Sequence, residues 1–177
     1  YCGAGSVPVV RTFWRVSRSE RVQPRCQDRK RLVSLGSSEV IYPPFSWTGG
    51  KRRLICPILA QIPFVINNFH SMFLGGGAVE LAVLQEHEIE GECYWSDLNP
   101  RLIRQWQSIQ GSLDTVYSDL QILEARDAYQ ETVSELNNGY QTEGSLIWLL
   151  CKAHSALYRE NLSGNFNVPR AGDKGRP

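Results

Sequence analysis

Residues 64–85 read FVINNFHSMFLGGGAVELAVLQ. A run rich in β-branched and aromatic residues meets three glycines, and an apolar stretch carrying Ala, Leu and Glu follows. Those are the marks of a strand, a tight turn and a helix. The next segment, GECYWSDLNPRLIRQWQSIQ over residues 91–110, repeats the order, with a second strand ending at Asp97 and then a helix. Strand, helix and strand in succession form a βαβ unit, whose two strands run parallel because the helix carries the chain back across the sheet. The fold class this predicts is α/β, an open and mostly parallel sheet with helices on its faces.

Outward from this unit the elements become more helical. KRRLICPILAQIP (51–63) reads as a short helix, with Pro57 tolerable only near its first turn. TVYSDLQILEARDAYQETVSELNN (115–138) places Val116, Leu120, Leu123 and Ala128 at helical spacing. GSLIWLLCKAHSALY (144–158) reads as a further helix running into the polar loop RENLSGNFNVPRAGDKGRP. Residues 1–42 mix Arg, Ser, Val and Gly with little periodicity and read as a basic, poorly ordered N-terminal segment. YCGAGSV and PRCQ within it read as chance matches to nucleotide and methylase motifs.

The 177 residues carry a net charge of only +1, which by itself selects no partner. Its distribution says more. Residues 1–40 hold seven arginines and one lysine against Glu20, Asp28 and Glu39, whereas residues 41–150 hold six basic groups against thirteen acidic ones. Residues 151–177 are basic again. Basic ends on an acidic body suit either a polyanion contact or a plain solvated surface. The five cysteines form no CxxC pair and only three histidines are present, which argues against zinc and for reduced thiols. Apolar runs such as Leu146–Cys151 fall far below the roughly 20 residues that cross a bilayer. A cytoplasmic protein without membrane contact is the expectation.

Two glycine-rich places invite a phosphate reading, and neither sustains it. FSWTGGKRR (45–53) lacks the earlier glycine and the Ser/Thr of a phosphate-binding loop, since Arg52 follows Lys51. At Gly75–Gly77 a dinucleotide fingerprint would want a third glycine where Glu80 stands, and a carboxylate there repels a pyrophosphate. It tolerates a ligand that combines adenosine with a cation. Asp97, at the end of the next strand, is where a carboxylate meets ribose hydroxyls. Read alone, the pattern equally suits a parallel-sheet domain with incidental glycines.

Taken in order, PFSWTGGKRRL (44–54), FLGGGAV (73–79), YWSDLNPRLIRQW (94–106) and ALYRENLSGNFNVP (156–169) resemble the DNA adenine methyltransferases of the Dam type. The resemblance covers residues 43–177. It implies a partial Rossmann-like methyltransferase sheet with a helical target-recognition insertion. Residues 43–112 would form the S-adenosylmethionine-binding part, and residues 113–177 a DNA-binding target-recognition region. It further implies that Trp47, Gly50, Lys51, Gly75, Gly77 and Asp97 hold S-adenosylmethionine, with Asp97 on the ribose. Taken singly, Trp47 is as readily a core aromatic and Lys51 a solvated helix start.

The same resemblance implies double-stranded DNA as partner and a short target such as GATC. It assigns Arg159 to a guanine, which an arginine reads through two parallel hydrogen bonds; a phosphate contact or a surface ion pair is the alternative. Leu157 and Pro169 correspond to apolar positions beside the bases, and Asn167 and Arg170 share their loop. His154 stands where the family has a stacking aromatic. Three departures are visible, the first being that residues 1–40 have no counterpart in the family pattern. Ser71 and Met72 replace an acidic residue and a proline, and the family's Asp-Pro-Pro-Tyr, which follows the recognition region, is not among these residues. That motif holds the amino group of a flipped adenine, so the expectation is an inactive part of an N6-adenine methyltransferase of restriction-modification type. The alternatives are a non-catalytic DNA-binding remnant and half of a split enzyme completed by a second, C-terminal chain.

Overall fold

The computed structural model describes residues 9–12 and 42–172. Among them are five short strands, β1 (Val9–Thr12), β2 (Val65–Ile66), β3 (Phe69–Ser71), β4 (Glu88–Ile89) and β5 (Cys93–Ser96). Six helices accompany them: α1 (Ile55–Leu59), α2 (Ala78–Glu86), α3 (Pro100–Gly111), α4 (Leu113–Arg126), α5 (Tyr129–Asn137) and α6 (Ser145–Lys152). The expected βαβ unit is present as β3–α2–β5, and β3 pairs with β5 in parallel, Phe69 opposite Cys93 and Ser71 opposite Trp95.

Each expected strand is in fact two. β2 pairs with β4 in parallel, then both chains bend before β3 meets β5. Residues 67 and 68 make the bend on one side and residues 90–92 on the other, so the second strand carries one extra residue. The Asn68 side chain holds the bend by accepting from the Glu92 amide at 2.9 Å. Such an insertion raises local twist and redirects the chain.

The N-terminal expectation needs correction. Most of residues 1–42 lie outside the described residues, but Val9–Thr12 form β1, which pairs antiparallel with β5. β5 is therefore the centre of a three-stranded sheet in the order β1-β5-β3. Its central place is reflected in Trp95 and Cys93, both buried.

Two helical expectations also shift. The stretch 115–138 is two helices, because Asp127 takes a left-handed conformation (φ 45°) and stops α4. Aspartate tolerates that region better than most residues. The predicted helix over 144–158 ends at Lys152, because Ala153 turns extended and bridges antiparallel to Arg170. A tertiary pairing overrides the local propensity of Ala153–Ala156.

Two apolar cores share α6. Leu146, Ile147 and Leu150 pack with Phe45, Leu74, Trp95, Leu102 and Trp106 on the sheet side. Trp148, Leu149 and Ala153 pack with Leu123, Tyr129, Leu136, Phe166 and Val168. A helix apolar on every face has to be buried on every face, and α6 is the spine between the two cores.

Candidate cofactor cleft and nucleic-acid interface

The glycine turn links β3 to α2 at the C-terminal ends of parallel strands, the usual place of ligands in open α/β sheets. Gly75 and Gly77 both have positive φ (52° and 74°). Space is a second reason for glycine. A β-carbon at Gly77 would lie 2.5 Å from the Trp106 ring, and one at Gly75 would lie 3.1 Å from Trp47. Trp106, on α3, also donates its indole N–H to the Gly75 carbonyl at 3.0 Å. The turn is thus clamped between two tryptophans.

Asp97 follows β5 directly, and both of its oxygens are engaged. The Gly75 amide donates to Oδ2 and the Asn99 amide to Oδ1, each at 3.0 Å. Asn99 in turn caps α3, accepting from the amides of Arg101 and Leu102, with Pro100 in the first turn where no amide hydrogen is needed. Each carboxylate oxygen keeps a further lone pair for a ligand. Around this carboxylate Met72, Phe73 and Leu98 are exposed at 70%, 89% and 82%. Asp97 thus sits at the strand ends beside apolar side chains that stand open to solvent.

The first motif is placed differently. Trp47 is half-buried and covers Gly75 and Gly76, in accord with a residue beside the turn. Gly50 closes a tight turn through its amide to the Trp47 carbonyl at 3.0 Å, and Gly49 supplies the left-handed residue (φ 80°). Lys51 is exposed and donates its ammonium to the Gly49 carbonyl at 2.6 Å. In this conformation it locks the turn.

The segment 153–170 forms an irregular hairpin laid on the helical core. His154 and Pro169 meet through backbone, the His154 amide donating to the Pro169 carbonyl at 2.9 Å. Asn137 of α5 binds the backbone of Phe166 on both sides, at 2.8 and 3.0 Å. Tyr129 donates its hydroxyl to the Val168 carbonyl. Asn161 accepts from the amides of Ser163 and Asn165 and closes the tip. Leu162 is fully exposed there. Ser155 and Ala156 both have positive φ (56° and 49°), a strained pair directly before the half-buried Leu157.

Three cations of this region differ in their partners. Lys152 pairs with Glu124 at 2.7 Å and Arg170 with Asp127 at 2.6 Å. Arg159 is exposed and held by a neutral residue: its Nε donates to Asn167 Oδ1 at 2.9 Å and its terminal nitrogen to the Asn167 carbonyl at 3.1 Å. The adjacent Glu160 is bound by Arg101 at 2.9 Å. Arg159 therefore presents an oriented guanidinium with no carboxylate partner among the described residues. Lys152 and Arg170 would have to leave a carboxylate to meet a phosphate.

Sequence reasoning missed Tyr158, which joins the two places. Its ring stacks on Trp47 with centroids 4.9 Å apart and 26° between planes, and its hydroxyl donates to Glu160. Burial raises its phenol pKa above the usual value, reinforced by that carboxylate. Trp106 and Asn99 were missed as well. The Asn-Pro pair opening α3 was the signal for Asn99; nothing local announced the other two. Among the described residues no helix is long and apolar enough to cross a membrane.

A family model described as D12 class N6 adenine-specific DNA methyltransferase matches residues 47–174. Two relatives are similar over most of the chain. The Type II methyltransferase M.MjaIII of Methanocaldococcus jannaschii is 25% identical over 150 residues, which cover 73% of this chain and 52% of that protein. The Type II methyltransferase M1.LlaDCHI of Lactococcus lactis subsp. cremoris is 27% identical over 146 residues, covering 76% of this chain and 50% of that protein. The chain spans about half the length of the curated relatives it matches.

Proposed function

Because the chain belongs to the D12 class N6 adenine-specific DNA methyltransferase family, we propose that it forms the cofactor-binding and target-reading part of a Dam-type enzyme. Such an enzyme methylates adenine in a short duplex site, within a restriction-modification setting. In this reading the sheet is Rossmann-like, residues 43–112 hold S-adenosylmethionine and residues 113–177 read DNA. S-adenosylmethionine supplies an electrophilic methyl group on a sulfonium. Asp97 accepts from the ribose hydroxyls, and the turn at Gly75–Gly77 brings backbone close to the methionine end. Trp47 shields that turn from water, and Gly50 with Lys51 shapes the loop that carries Trp47.

On the DNA side Arg159 reads a base edge in the major groove, steadied by Asn167. Leu157 and Pro169 lie against the bases, His154 stacks, and Arg170 reaches the backbone after releasing Asp127. The target adenine has to leave the duplex to reach a methyl donor. Acceptors for its amino group would come from chain beyond these motifs or from a complementing subunit.

The observation that carries the reading is Asp97, fixed by the amides of Gly75 and Asn99 at the ends of adjacent parallel strands. Calorimetry with S-adenosylmethionine tests it. Saturable binding is expected, and Asp97→Ala should abolish it. Duplex binding without any cofactor binding would overturn the reading in favour of a plain DNA-binding module.

A further inference from the structure

Glu80 is the buried charge for which the proposed reaction so far has no use. It lies in the first turn of α2, three residues after Gly77, and is 4% exposed. The Ser71 hydroxyl, from the end of β3, donates to its Oε1. Ser71 is itself tied to the next strand, since the Ser96 hydroxyl donates to the Ser71 carbonyl at 3.0 Å. Among the described residues no cationic side chain pairs with Glu80. Asp97, which is also negative, adds to its unfavourable surroundings.

A lone buried carboxylate is costly, and removing one usually stabilises a fold or leaves it unchanged. Here the burial is the main reason its carboxyl pKa is raised, and Asp97 adds to the effect. The Ser71 hydroxyl and the amides of Val79 and Glu80 offset only part of it. Two carboxylates thus flank one glycine turn, Asp97 bonded to the Gly75 amide and Glu80 in the first turn of the helix that follows Gly77, and among the described residues neither has a cationic partner. Such a pair is built for a cation that arrives from outside.

Resting on the cofactor reading above, we infer that Glu80, positioned by Ser71, is the counter-charge for the cationic methionine end of S-adenosylmethionine. Two cations at that end share this chemistry, the sulfonium and the α-ammonium. Glu80 takes no part in the transfer itself. It favours the charged donor over uncharged adenosine compounds.

The test is calorimetric, on the whole chain, with three probes. S-adenosylmethionine carries both cations, S-adenosylhomocysteine only the ammonium, and 5′-methylthioadenosine neither. Glu80→Gln should weaken S-adenosylmethionine on the order of thirtyfold or more, the usual cost of truncating one partner of a buried charge pair. It should leave 5′-methylthioadenosine unchanged, which also shows that the cleft is folded. Glu80→Asp, which keeps the charge, should keep the preference. Loss for S-adenosylhomocysteine too names the ammonium as partner, and its sparing names the sulfonium. Equal changes for all three probes, or none, would overturn the assignment while leaving the cofactor reading intact. Binding of no probe by the unaltered chain would overturn both.

Discussion

Residues 113–172 close on themselves. Phe166, Leu136 and Leu149 are almost wholly buried between α4, α5, α6 and the hairpin, and backbone groups of that hairpin are met by Asn137 and Tyr129. The sheet side is built the other way. Its strands have two to four residues, and Met72, Phe73 and Leu98 stand exposed at their C-terminal ends. One region spends its aromatic surface on holding shape. The other holds a turn between two tryptophans and leaves apolar surface open beside Asp97. The contrast teaches that the helical region with its hairpin is held by its own core, whereas the strand ends leave apolar surface uncovered.

The largest test of that contrast is Phe166→Ala. A buried aromatic truncated to alanine costs about 3–5 kcal/mol. Hydrogen exchange should show amides of α5 and of residues 157–170 losing protection while β3, β5 and α3 keep theirs. Uniform loss across both regions would merge the two cores into one cooperative unit.

A smaller effect sharpens the comparison on the hairpin side, under the DNA-reading proposal. Arg159→Ala should cost about 1–3 kcal/mol on the preferred duplex and little on scrambled DNA, the worth of a bidentate guanine contact. Its thermal midpoint should not move, because Arg159 is exposed and supports no core. An equal loss on both duplexes would make Arg159 a phosphate anchor.

The smallest effect is a difference of sign with pH. The raised carboxyl of Glu80 binds its proton more tightly folded than unfolded. Stability it contributes is complete below the ordinary glutamate value of 4.5 and is lost as pH rises through the folded value. Glu124, hydrogen-bonded by Lys152 and then Trp148, is lowered, so its contribution is present above 4.5 and lost as pH falls. Between mildly acidic and neutral pH, exchange protection near α2 should fall, and Glu80→Gln should flatten that slope. Glu124→Gln should lower protection of α4 and α6 above 4.5, have no effect at the acid end, and so flatten the acid-side fall. Parallel pH trends in the two regions would break the contrast.

Much of this was legible before any coordinates. Three glycines between a β-branched run and an apolar helix gave away the β3–α2–β5 crossover, which puts Asp97 directly after β5. The Asn99–Pro100 pair carried a capping signal for the start of α3 that went unread. What escaped had long-range causes. β1 has no alternation of its own and is a strand only because β5 offers it an edge. α6 stops at Lys152 because Arg170 draws Ala153 into a bridge. Asp127 ends α4 although it is not a glycine, and its side chain then takes Arg170. The burial of Glu80 was invisible, since a first-turn glutamate is ordinarily a solvated helix cap.

The stack of Tyr158 on Trp47 ties the hairpin to the loop that covers the glycine turn. Any pressure on one ring is felt by the other, and linkage of this kind is reciprocal. The pair is therefore a constraint on modularity: a hairpin exchanged at this place has to bring an aromatic to position 158, or the Trp47 loop loses the ring it rests on.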